Sequence, residues 1–248
     1  MSSIEIILTA VKEGRLSVEE GKHLIDDWKY RTSYPYIFPY ITWTNDKDFE
    51  YTTTTINKIE IDTMHLFVTN KCSNNCPLCC NNNYNIEEIP LPSEEELNSV
   101  ENIFLTGGEP FLLGERLDKI VNALRTRENI KNIYIYTSGY ECYKYLTDFK
   151  KLPNIDGINF SPKGFKDWFA LNKLLNSGWK KDISNLKSNR LYVFIDKYDQ
   201  CTFNLDNANL DIISDYYFDM NCEVFFRIWI DNIESRPNEI FRRLENYD

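Results

Sequence analysis

The sequence predicts an α/β protein: six parallel βα units forming an open, partial (βα)6 barrel, preceded by an N-terminal helical hairpin. Three observations predict it. Strand-like apolar runs at 65–69, 102–106, 132–137, 157–161, 191–195 and 223–230 alternate with amphipathic helical stretches, the pattern of a parallel sheet. Parallel crossovers are right-handed, and six units fall short of the eight that close a barrel. The first 63 residues follow another pattern, which divides the chain into 1–63 and 64–248.

In chain order, Ile4, Ile7, Leu8 and Val11 recur at i, i+3, i+4 and i+7, a helix that Gly14 is placed to end. Ser17 and Glu20 make a capping box for a second helix bearing Leu24, Ile25 and Trp28. This hairpin either packs on the main domain or docks a partner. Residues 34–43 are aromatic and broken by Pro35 and Pro39, so no regular helix runs through them. They either line a substrate pocket or cover a sheet edge. Thr52 to Thr55 and the alternation through Ile56, Ile59 and Ile61 predict short strands. Beyond Met64 the helices open at the Ser93 and Glu96 capping box, then carry Leu117, Ile120, Val121 and Leu124. Later ones carry Tyr145, Leu146 and Phe149, then Trp168, Leu171 and Leu175, then Leu210, Ile213 and Tyr217. Ile240, Phe241 and Leu244 predict a last short helix.

Composition narrows the function. Hydrophobic residues make up 42% and aromatics 15% of 248 residues, enough for a sizeable core. The net charge is −10 and no Lys/Arg run offers a footprint for a phosphate backbone, so duplex nucleic acid is not an expected partner. No apolar run approaches the ~20 residues of a membrane span. The opening Met1-Ser2-Ser3-Ile4-Glu5 has no basic start of a secretory signal. With seven clustered cysteines, this places the chain in a reducing cytoplasm. Two histidines argue against a His-based hydrolase or zinc enzyme. His65 is expected to be buried in its strand and His23 to lie on a helix surface.

The chemistry sits on two loops. Cys72, Cys76 and Cys79 are three thiols in eight residues after the first strand, on a loop rich in Asn, Ser and Pro. Such clustered soft ligands suggest a metal site. A closed zinc site takes four protein ligands, and no partner motif follows downstream. Three cysteines suit a [4Fe–4S] cluster with one open iron. Some thirty residues on, the second strand runs into Gly107-Gly108-Glu109-Pro110, where glycines permit close backbone approach and a carboxylate follows.

Cys72-x3-Cys76-x2-Cys79 after the first strand, with Gly107-Gly108-Glu109-Pro110 after the second, resembles the radical S-adenosylmethionine (SAM) superfamily. The resemblance implies a partial barrel of the radical SAM type, a [4Fe–4S] cluster on Cys72, Cys76 and Cys79, and SAM on the fourth iron. It implies that Gly107, Gly108 and Glu109 receive the SAM ammonium, with Glu109 as its charge partner. Ends of barrel strands carry function, so Ser138 after the third strand, and Ser161 and Lys163 after the fourth, are implied SAM contacts, with Asn159 a lesser one. Leu78, before the third cysteine, would lie beside adenine, where the family has an aromatic. Thr137-Ser138-Gly139 and Ser161-Pro162-Lys163 are also similar to the 7-carboxy-7-deazaguanine synthase branch.

The other cysteines read more plainly. Cys80 is a spectator beside a ligand, Cys142 falls on a core helical face, and Cys201 and Cys222 have no Cys-x-x-Cys spacing. One cluster is expected. The resemblance implies reductive cleavage of SAM, to give a radical that abstracts hydrogen from a small molecule or nucleotide. The electron would come from an external donor such as flavodoxin or ferredoxin. A peptide- or protein-modifying enzyme, including a glycyl-radical activase, is the second reading, and a non-enzymatic iron–sulfur or zinc protein the third. Substrate contacts are expected from Arg227, Trp229 and Asp231 at the sixth strand end.

Overall fold

A computed structural model of the chain describes residues 61–76, 79–83, 85–194, 207–227 and 238–247. The hairpin, the aromatic stretch 34–43, Leu78, Cys201, Trp229 and Asp231 lie outside the described residues. By internal contacts the chain divides into two units, Met1–Lys58 with Asn204–Ser214, and Ile59–Phe203 with Asp215–Asp248. The second holds the sheet and both loops singled out above.

Its strands are β1 (Thr63–Thr69), β2 (Asn102–Gly107), β3 (Asn132–Thr137), β4 (Gly157–Phe160), β5 (Asn189–Phe194), β6 (Cys222–Arg227) and β7 (Glu239–Arg243). They form one seven-stranded sheet in the order β6-β5-β4-β3-β2-β1-β7, and every pairing is parallel. The helices are α1 (Glu94–Ser99), α2 (Glu115–Arg125), α3 (Tyr140–Phe149), α4 (Phe165–Leu175), α5 (Trp179–Ser184) and α6 (Asn207–Asp219). Because β1 to β5 lie side by side in chain order, right-handed crossovers put the helices between them on one face. That winding is compatible with a partial barrel. Short α5 was not expected from sequence.

The two faces of the sheet differ in kind. Met64, Leu66, Val68, Ile103, Leu105, Ile133, Ile135, Ile158, Leu191 and Val193 are buried and share one face by alternation. Each contributes roughly 1.5–3 kcal/mol of transfer free energy. The opposite face carries a row of rings paired across strands. Phe241 stacks on His65 at 4.6 Å, His65 on Phe104 at 5.1 Å, and Phe104 on Tyr134 at 4.9 Å. His65 is therefore only partly buried, and its Nε2 lies 3.4 Å from Glu239.

The last helix expected from sequence is a strand. Ile240, Phe241 and Leu244 suit a helical face, but so short an apolar run does not separate helix from strand. The open edge of β1 decides it. Met64 pairs with Ile240 and His65 with Phe241, and the N–H of Leu244 donates to Phe67 O at 2.9 Å. Arg242 then reaches α1, its Nε donating to Glu96 Oε2 at 2.8 Å. That guanidinium holds the Glu96 carboxyl down at about 2. Glu96 also completes the predicted capping box with Ser93.

Candidate functional site

A parallel sheet brings all its strand ends to one edge, and the residues of interest follow the ends of β1 to β4. The end of β2 is laid against the end of β1. Gly108 N–H donates to Thr69 O at 2.6 Å and Glu109 N–H to Lys71 O at 2.7 Å. A Cβ on Gly107 would meet Thr69 O at 2.3 Å, and one on Gly108 would meet Lys71 O at 2.1 Å. The glycines thus let β2 close upon the backbone that leads into Cys72. Asn81, just past the cysteines, donates from Nδ2 to Gly107 O at 2.7 Å.

Glu109 is buried at 2% exposure. Its Oε2 accepts from Ser138 N–H at 2.9 Å and from Ser138 Oγ at 3.1 Å, while Oε1 makes no hydrogen bond. Burial pushes its pKa up to about 7, against the pull of Ser138 and the nearby Thr137 hydroxyl, and the Asp167 charge adds to the rise. Ser138 is thus turned toward Glu109 itself. The neighbouring Gly139 has φ 113°, and a Cβ there would lie 2.1 Å from Leu171 Cδ1. The space beside it belongs to α4.

After β4, Lys163 Nζ donates to Ser161 Oγ at 2.5 Å and Lys163 N–H to Asp167 Oδ2 at 2.9 Å. Asn159 is buried, with Nδ2 making no hydrogen bond. Asp167 and Asn74 escape a sequence reading. Asn74 Nδ2 donates to Asp167 Oδ2 at 3.2 Å across 93 residues, and nothing local marks either position.

Cys72 is exposed, Cys76 and Cys79 are half-buried, and all three are thiols. The Cys72 pKa is raised by partial burial. The Asn74 N–H opposes that rise, and the Glu109 and Cys79 charges add to it. Among the described residues no three His, Cys, Asp or Glu side chains are gathered closely enough to hold a metal ion. The donor set still fits an iron–sulfur cluster in chemistry: three soft ligands on one loop, to be drawn together by the metal they bind. The unpartnered Glu109 Oε1 fits an ammonium. Cys142 and Cys222 are buried, and burial pushes both thiols up. Arg227 ends β6.

No family model matches the chain. A stretch of 127 residues is 30% identical to a GTP 3',8-cyclase of Haemophilus influenzae (strain PittEE). The match takes in 44% of this chain and 37% of that protein. Among the described residues no helix is long and apolar enough to cross a membrane.

Proposed function

We propose that this chain is a radical SAM enzyme with a partial (βα)6 barrel, a [4Fe–4S] cluster on Cys72, Cys76 and Cys79, and SAM beside it. The observation that carries the reading is Glu109, a buried carboxylate with one oxygen held by Ser138 and the other unpartnered, at the strand end next to the cysteine loop. A buried unpartnered carboxylate oxygen is costly, and an ammonium ligand would remove the cost. The partial likeness to a GTP 3',8-cyclase supports the same superfamily.

When bound, the cluster would supply the electron that cleaves SAM to methionine and a hydrogen-abstracting 5′-deoxyadenosyl radical. Glu109 would take the methionine ammonium on Oε1, and Ser138 would hold the carboxylate in place. Ser161, Lys163 and Asn159 stand at the next strand ends as further contacts. For the substrate we favour a nucleotide or other small molecule, since the relative's name is that of a nucleotide cyclase. The test is anaerobic reconstitution. About four irons and four sulfides per chain, with 5′-deoxyadenosine formed from SAM and a reductant, support the reading. Stoichiometric zinc in place of iron, or no SAM cleavage by an iron-loaded protein, would sink it.

A further inference from the structure

One buried carboxylate ties the cysteine loop to the helix after β4. Asp167, in the first turn of α4, is buried at 0% exposure. Its Oδ2 accepts from Lys163 N–H at 2.9 Å and from Asn74 Nδ2 at 3.2 Å. The backbone N–H of Asn74 in turn donates to Cys72 Sγ at 3.4 Å. A continuous path therefore runs from α4 through one side chain to the first cysteine. Beside it, Lys166 Nζ donates to Ser73 O at 2.8 Å, so successive helix residues hold successive loop residues.

Helix capping does not account for all of this. An acidic side chain in a first turn gains from the helix dipole, and the bond to Lys163 N–H is an ordinary one for that position. The bond to Asn74 serves the loop instead. Asp167 Oδ1, moreover, makes no hydrogen bond, although burying a carboxylate with an unmet oxygen is costly. That cost is accepted where the group does something besides stabilise its own helix.

We infer that Asp167 is a positioning residue that seats Cys72 through Asn74. The inference rests on the metal-loop reading above, but its first readout needs no metal. Two single variants, Asn74→Ala and Asp167→Ala, and the double variant are compared by amide hydrogen exchange over residues 71–76 in the metal-free full chain. Loss of one such hydrogen bond should speed exchange about three- to tenfold in each single variant. Groups acting through one bond are not additive, so the double variant should exchange no faster than the faster single. Unchanged exchange in the single variants, or multiplied effects in the double, would overturn the inference.

The second readout is the midpoint potential of the reconstituted cluster. Hydrogen bonds to ligand sulfur tune such potentials. All three variants keep the Asn74 backbone N–H but release the side-chain anchor that aims it at Cys72, so the potential should fall equally in all three. A merely structural role for Asp167 predicts no shift once iron content is matched, and that result would also overturn the inference. If the parent protein takes up no cluster, the proposed function fails while hydrogen exchange still decides the seating of the loop. Should Asp167→Ala not fold, Asn74→Asp replaces it, because a carboxylate there faces Asp167 and should loosen the loop more than Asn74→Ala. Equal exchange in those two variants would count against Asp167.

Discussion

The buried Glu109 carboxylate and the cysteine loop adjoin at the ends of neighbouring strands, yet they are built in opposite ways. Glu109 is buried and fixed by two hydrogen bonds from Ser138, so its geometry is complete without a ligand. The cysteines sit on a partly exposed loop tied down at Ser73, Asn74 and Asn81, and their thiols are not gathered. The difference teaches which half the polypeptide supplies alone. A carboxylate can be held ready by backbone and hydroxyl donors, whereas several thiols are drawn together by the metal that binds them.

The largest expected effect tests that division. Replacing Cys72, Cys76 or Cys79 by Ala should abolish iron uptake on reconstitution, measured as iron per chain, whereas Cys142→Ala should leave it intact. Glu109→Gln should load iron like the parent, because Glu109 is no part of the donor set. Loss of iron in Glu109→Gln would merge the two regions into one site and break the comparison.

Next in size is SAM affinity. A charge-assisted hydrogen bond contributes roughly 1.5–3 kcal/mol, so Glu109→Gln should weaken SAM binding about ten- to a hundredfold by titration of the reconstituted protein. The same variant sharpens the contrast from the other side. A buried carboxylate with an unpartnered oxygen costs stability, so metal-free Glu109→Gln should melt higher than the parent at pH 8. An unchanged affinity would leave the Gly-Gly-Glu turn as a structural bend alone.

How much of this was legible in the sequence follows from the range of the interactions. Six strands and the α1 cap were readable because alternation and capping are local. The stretch that became β7 was not, since five residues fit either state until the edge of β1 offers a partner. Glu109 stood out through its neighbours Gly107 and Gly108, but its pKa is raised by burial and by the Asp167 charge, and opposed by Ser138, all of which come from far along the chain. The glycines were expected to make room for a ligand. The space beside them is filled by Thr69 and Lys71, and beside Gly139 by Leu171, because close packing between elements leaves no trace in spacing. Asp167 reads in sequence only as a helix-start residue.

The smallest expected effect is the pH dependence of SAM binding, and it separates the carboxylate from the loop most cleanly. With its pKa near 7, Glu109 is largely protonated at pH 6 and cannot pair with an ammonium. An ordinary α-amino group loses its proton around 7.7–8.0. Binding that needs the carboxylate charged and the amine protonated should therefore strengthen about fivefold between pH 6 and pH 7. It should weaken again above about pH 8. The empty protein runs the other way. Its folded pKa lies above the ordinary glutamate value of 4.5, so the native state holds the extra proton between those two values. Stability from Glu109 is complete below pH 4.5 and is lost as pH rises through 7, by an amount on the order of 3 kcal/mol at most. Cys72 and Cys142 also feel this charge, which makes Glu109→Gln the necessary control: it should flatten the acidic limb of the binding curve and leave the alkaline limb, set by the ligand's amine, where it was. An acidic limb that persists in Glu109→Gln would assign the titration to another group and remove the carboxylate from the ammonium site.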